Sequence, residues 1–136
     1  MSAPFRFLHA SDFHLDRSPR GLAEVPEHLR SALVDAPYRA AQRVFDVALR
    51  EHVDFVVLSG DLVDPALAGP RGLVFLGEQF ARLTERGIGV YWALGRSDRL
   101  GPWSDAWPLP QEVVRFAGND VERIVHCRGE ERIAVV

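Results

Sequence analysis

Asp12 and His14 flank a single phenylalanine and follow directly on the apolar run 5–10. Asp61 and Asp64 belong to Gly60-Asp61-Leu62-Val63-Asp64, which closes a second apolar run, 53–59. Carboxylate mixed with imidazole suits manganese, iron or zinc better than calcium. Two such ions about 3.5–4 Å apart can clamp a phosphoryl oxygen and generate hydroxide from water. Asp12, His14 and Asp61 are therefore candidate metal ligands for phosphate ester chemistry. A third apolar run, 89–94, ends in Gly95-Arg96-Ser97-Asp98. A further ligand and an acid catalyst are expected there, and Arg96 and Ser97 can be neither.

The ligands need a frame that brings three loops to one edge. Runs 5–10, 53–59 and 89–94 read as strands, and the near-continuous apolar character of 53–59 marks a central one. Between the first two, residues 15–26 form a loop holding Pro19, Gly21 and Pro26. A short helix is expected over 27–34. A second follows over 35–51, with Asp35 as its N-cap and Pro37 in its first turn. Ala40, Ala41, Val44, Phe45, Ala48 and Leu49 recur at helical spacing there, with Arg39, Arg43, Asp46 and Arg50 opposite. Another helix is predicted over 72–86, carrying Leu73, Leu76, Phe80 and Leu83 and stopped by Gly87. Residues 101–110, rich in Pro and Trp, read as a loop. Residues 121–127 and 132–136 alternate as two strands of a hairpin turning at Arg128-Gly129-Glu130.

Strand, helix, strand, helix, strand implies right-handed crossovers and a mostly parallel sheet with helices on its faces. Ligands of such α/β sheets gather at the carboxyl ends of the strands, where all three unusual loops fall. At 136 residues, 47% hydrophobic and 26% charged, the chain is expected to be a single, incomplete domain. It stops within the apolar run Ala134-Val135-Val136.

The formal charge of −3 gives no overall attraction to nucleic acid or anionic membrane, so any DNA contact must be a local patch. The single Cys127 rules out an internal disulfide and fits a reducing, cytoplasmic setting. No apolar segment nears the roughly 20 residues of a membrane span, and Arg6, His9 and Asp12 interrupt any leader-like start.

The stretches from His9 to Asp16 and from Val53 to Asp64 resemble the calcineurin-like metallophosphoesterases. Within these they are most similar to bacterial DNA repair exonucleases of the SbcD kind. Those carry D-x-H, G-D-x-x-D and G-N-H-D motifs at similar intervals. The resemblance implies the first half of a four-layer metallophosphoesterase sandwich and phosphodiester hydrolysis in DNA repair. It makes Asp12 and His14 ligands of a first metal, manganese above others, and Asp61 the bridging ligand. The asparagine ligand of the family falls at Arg96 and its catalytic histidine at Ser97, leaving no catalytic residue assigned. Asp64 and Asp98 would stand behind the ligands. Occupancy by two ions is not expected, because Arg96 sets a permanent cation beside the second position. An impaired hydrolase follows; the alternative is a non-catalytic pseudoenzyme or scaffold in which Arg96 pairs with Asp12 and Asp61 in place of a metal. DNA and an SMC-like coiled-coil ATPase are the partners implied.

Duller roles are expected elsewhere. His9 reads as a strand residue that is either packed or stands behind the ligands, and His28, His52 and His126 as surface or helix-end residues. Trp92, Trp103 and Trp107 are assigned to core and loop anchoring rather than to base stacking. Arg17, Arg20, Arg39 and Arg43 are assigned to solvated surface.

Overall fold

Alternation along the chain builds one sheet with two unlike faces. The computed structural model describes residues 4–17, 21, 24–99, 107, 109–118 and 120–136. Its elements are β1 (Phe7–Ala10), α1 (Glu27–Arg50), β2 (Phe55–Ser59), α2 (Pro65–Thr84), β3 (Gly89–Ala93), β4 (Val113–Phe116), β5 (Val125–Arg128) and β6 (Glu131–Val135). The first four strands form a parallel sheet in the order β1-β2-β3-β4. His9 pairs with Val57, Val57 with Tyr91, and Tyr91 with Val114. Most of the loop expected over 101–110, with Trp103, lies outside the described residues, as do Pro19 and Arg20.

Val56, Leu58, Val90 and Trp92 point to one face and pack with both helices. From α1 this core takes Ala41, Phe45 and Ala48, and from α2 Leu76, Phe80 and Leu83. Phe80 bridges its aromatic centre, 6.2 Å from Phe45 and 5.8 Å from Trp92 between ring centroids. Each such side chain contributes about 1.5–3 kcal/mol of burial. Trp107 meets Trp92 edge-on at 6.4 Å, a packing role.

The other face presents Phe55 and Tyr91, covered at the amino ends of the strands by the antiparallel β5–β6 hairpin. Arg128 ties that hairpin to the sheet through Asp54 at 2.6 Å. The backbone N–H of Arg6 reaches the other oxygen of Asp54 at 2.9 Å. Toward the carboxyl ends this face stays open, with His9, Ser59 and Ala93 exposed, and at the edge strand Phe7 is 54% exposed as well.

Three expectations about the elements are corrected. Residues 27–34 and 35–51 form one helix that runs through Pro37. Pro37 cannot donate to the Leu33 carbonyl, but the buried stripe Tyr38, Ala41, Phe45 and Ala48 outweighs one lost bond. Asp35 is no cap; its carboxylate takes the Arg71 guanidinium of α2 at 2.5 Å, and that guanidinium lies 4.1 Å from the Tyr38 ring centroid. The second helix starts at Pro65, not at 72, because Asp64 caps it by accepting the Ala66 N–H at 2.9 Å. A kink at Gly69 (φ 60°, ψ −159°) separates that first turn from the rest. Strand β4 was not foreseen: four residues between Pro110 and Gly118 carry too little pattern.

The two helices end alike. Gly87 (φ 74°) donates to Thr84 O, and Ile88 donates to Leu83 O. His52 (φ 49°) and Val53 repeat this geometry on Leu49 and Ala48. A histidine thus occupies the left-handed position that glycine fills in α2.

His126 is the fourth correction, being buried rather than at the surface. Its Nδ1 lies 2.7 Å from the Tyr91 hydroxyl and its ring 4.8 Å from Phe55. Burial holds its pKa below the usual 6.5; the Asp54 carboxylate pulls it back up and Arg128 adds to the depression. A lowered folded pKa means that the unfolded chain binds the proton more readily. Stability contributed by neutral His126 is therefore full above about pH 7. It falls as pH drops through 6.5 toward the depressed value, and levels off below it. Urea midpoints at pH 7.5 and 5.0 check this, and His126→Asn is expected to flatten the difference.

Candidate metal centre

The loop after β1 is stitched to the loop after β2 by a ladder that outlasts the strands. Asp12 N–H donates to Gly60 O at 3.0 Å, His14 N–H to Asp61 O at 3.1 Å, and Leu15 N–H to Leu62 O at 2.9 Å. Between the two candidate ligands, Phe13 packs edge-on against Phe45 at 5.6 Å. Phe13 anchors the loop in the core, so that Asp12 and His14 turn to the rim.

Asp12, His14 and Asp61 each offer a ligand atom, and these atoms lie within 4.8 Å of one another. His14 Nε2 is 3.6 Å from an Asp12 oxygen. His14 Nδ1 is buried with no hydrogen-bond partner among the described residues. All three residues adopt left-handed backbone, with φ of 58°, 46° and 53°. His52 is the one other non-glycine residue with positive φ among those described. Such conformations cost about 1–2 kcal/mol apiece, less for Asp, and cluster at functional sites. Two carboxylates and an imidazole converging in this way form a donor set that fits one divalent ion.

Asp61 is fixed by the loop after β3. Ser97 N–H donates to Asp61 Oδ1 at 2.8 Å. A Cβ on Gly95 would lie 2.3 Å from Asp61 N and 2.6 Å from Oδ1, and one on Gly60 would lie 2.6 Å from Gly95 Cα. Both glycines are required because backbone meets backbone there. Asp98, fully buried, binds the same loops together. Its Oδ1 accepts the Leu62 and Val63 N–H groups at 2.9 and 3.0 Å, and its Oδ2 the Gly95 N–H at 2.8 Å. Asp98 thus orders amides, as Asp64 does at α2.

Arg96 is exposed, and among the described residues no ion pair joins it to Asp12 or Asp61. The alternative in which Arg96 pairs with these acids in place of a metal finds no such ion pair among the described residues, and the bond recorded from this loop to Asp61 comes from the Ser97 backbone. Of the two readings of His9 the packed one is corrected: the residue is exposed, its Nε2 2.5 Å from Ser59 Oγ. Sequence reasoning missed Asp16, whose buried carboxylate accepts the Asp64 N–H at 3.1 Å. A contact 48 residues away leaves no local signal.

The calcineurin-like phosphoesterase family model matches residues 5–130. The chain belongs to that family. Across its whole length this calcineurin-like chain is 39% identical to a Bacillus subtilis (strain 168) protein described as uncharacterized metallophosphoesterase YhaO, covering 33% of that protein. Over 93 residues, 68% of this chain, it is 31% identical to the DNA double-strand break repair protein Mre11 of Aeropyrum pernix, covering 21% of it. The chain thus spans a third or less of the length of these relatives. The family uses divalent metals, in keeping with the donor set. No helix among the described residues is long and apolar enough to cross a membrane.

Proposed function

We propose that this calcineurin-like chain binds one divalent cation, manganese above others, on Asp12, His14 and Asp61, and engages phosphodiesters of DNA with impaired turnover. The observation that carries the reading is the convergence of those three side chains within 4.8 Å on strained backbone. A cation held there would supply charge for a phosphoryl oxygen. Asp61 is oriented for it by the Ser97 N–H, and Asp98 holds both loops in register. By the resemblance Ser97 stands where the family has its catalytic histidine, which supports slow turnover or none. DNA as substrate rests on the resemblance to repair exonucleases and on the Mre11 similarity. The SMC-like ATPase partner rests on the resemblance alone, and a cytoplasmic setting on the lone Cys127. The half-open sheet face and the share of each relative covered support an incomplete phosphoesterase domain.

Calorimetric titration of manganese into the purified chain tests the proposal. One ion per chain at micromolar affinity, lost in Asp61→Asn, is the expected result, with a phosphodiester assay near background. Absence of binding would remove the metal reading. Rapid hydrolysis abolished by Asp61→Ala would remove the impairment.

A further inference from the structure

We infer that Arg96 is a phosphate-binding residue, which together with a single cation on Asp12, His14 and Asp61 holds the free oxygens of a phosphate group. The inference rests on the metal reading above and assigns to this position a ligand contact in place of a second ion.

Position comes first. Arg96 sits between Gly95, whose backbone abuts Asp61, and Ser97, whose N–H binds the Asp61 carboxylate. The short 3-10 turn Ser97–Arg99 and the Arg99 N–H on Arg96 O at 3.3 Å fix that backbone. The root of this side chain is therefore held at the rim beside the candidate ligands.

Availability comes second. Arg71, Arg82 and Arg128 are each held by a carboxylate, on Asp35, Asp46 and Asp54. Arg99 donates to Leu94 O. Two neighbouring acids already have partners: Asp61 Oδ1 accepts the Ser97 N–H, and both oxygens of Asp98 accept backbone amides. No side-chain hydrogen bond or ion pair engages Arg96 among the described residues, and it is exposed.

Chemistry comes third. A guanidinium keeps its charge throughout the working pH range and presents a planar fork matched to two phosphate oxygens. A metal ion held by Arg96 is impossible, since arginine has no lone pair to offer. The same charge that opposes a second ion favours an anion bound across the first.

Manganese and inorganic phosphate titrations of the wild-type chain, Arg96→Ala and Arg96→Asn test the inference, with a short thymidine oligonucleotide as a second phosphate source. With manganese saturating, Arg96→Ala is expected to weaken phosphate about tenfold or more, while manganese affinity stays within about twofold. Equal weakening of the oligonucleotide assigns the residue to a DNA diester, and weakening of inorganic phosphate alone to a terminal phosphate. Phosphate affinity unchanged in Arg96→Ala overturns the inference, as does a second manganese in the wild-type chain. A second ion appearing only in Arg96→Asn supports it. If the wild-type chain binds no manganese, the preceding metal reading fails, and the metal-free phosphate titration alone decides for or against Arg96.

Discussion

Asp98→Ala is expected to lower the unfolding free energy by about 3 kcal/mol or more, measured by urea denaturation. The carboxylate is fully buried and accepts three backbone N–H groups from Leu62, Val63 and Gly95, with the Trp92 indole at 3.4 Å. Alanine leaves those donors without a partner, and each buried unsatisfied donor costs about 1–3 kcal/mol. Water entering the vacated space recovers part of this, so the sum is an upper bound. Asp98→Asn retains one acceptor oxygen and is expected to lose less. Loss below about 1 kcal/mol for Asp98→Ala would show that the loops after β2 and β3 hold without the carboxylate.

Gly95→Ala is expected to abolish the proposed manganese binding and to destabilise the fold by about 1–3 kcal/mol, in the range of an overpacked core. The added methyl would sit 2.3 Å from Asp61 N and 2.6 Å from its carboxylate oxygen. No flexible side-chain tip can yield there, because the nearest neighbour is backbone. Asp61 must move, and with it the 2.8 Å bond from Ser97. Gly118→Ala is the control: its nearest contact is Glu122 Oε1 at 3.6 Å, and a surface change of this kind stays within about 0.5 kcal/mol. Calorimetry and thermal melts of both variants decide the matter. Manganese bound by Gly95→Ala with wild-type affinity would mean that the rim is soft rather than built.

The parallel sheet and its site edge were legible because they rest on local pattern. Apolar runs ending in Asp12-Phe13-His14 and Gly60-Asp61 state both burial and direction, and the alternation of Phe13 with its neighbours separates core from rim. Features set by distant contacts were not legible. Pro37 and Asp35 look like a helix start, yet packing of Tyr38 and the Arg71 ion pair carry the helix through. His126 lies amid exposed residues in the hairpin and is buried by a partner 35 residues away, Tyr91. The match of Asp98 to the last motif residue implied a place behind a histidine. Its three backbone donors, all from residues earlier in the chain, could not be read from the sequence.

Left-handed backbone at Asp12, His14 and Asp61 also has a kinetic meaning. Folding itself meets the cost of arranging the donors, so on the proposed metal reading an arriving ion would find a finished seat and impose little further ordering on the chain. Exchange of one divalent ion for another would then be governed by shedding water from the ion rather than by rebuilding of the protein. A nearly unchanged amide spectrum around the three loops, before and after metal is added, is the signature of such a rim.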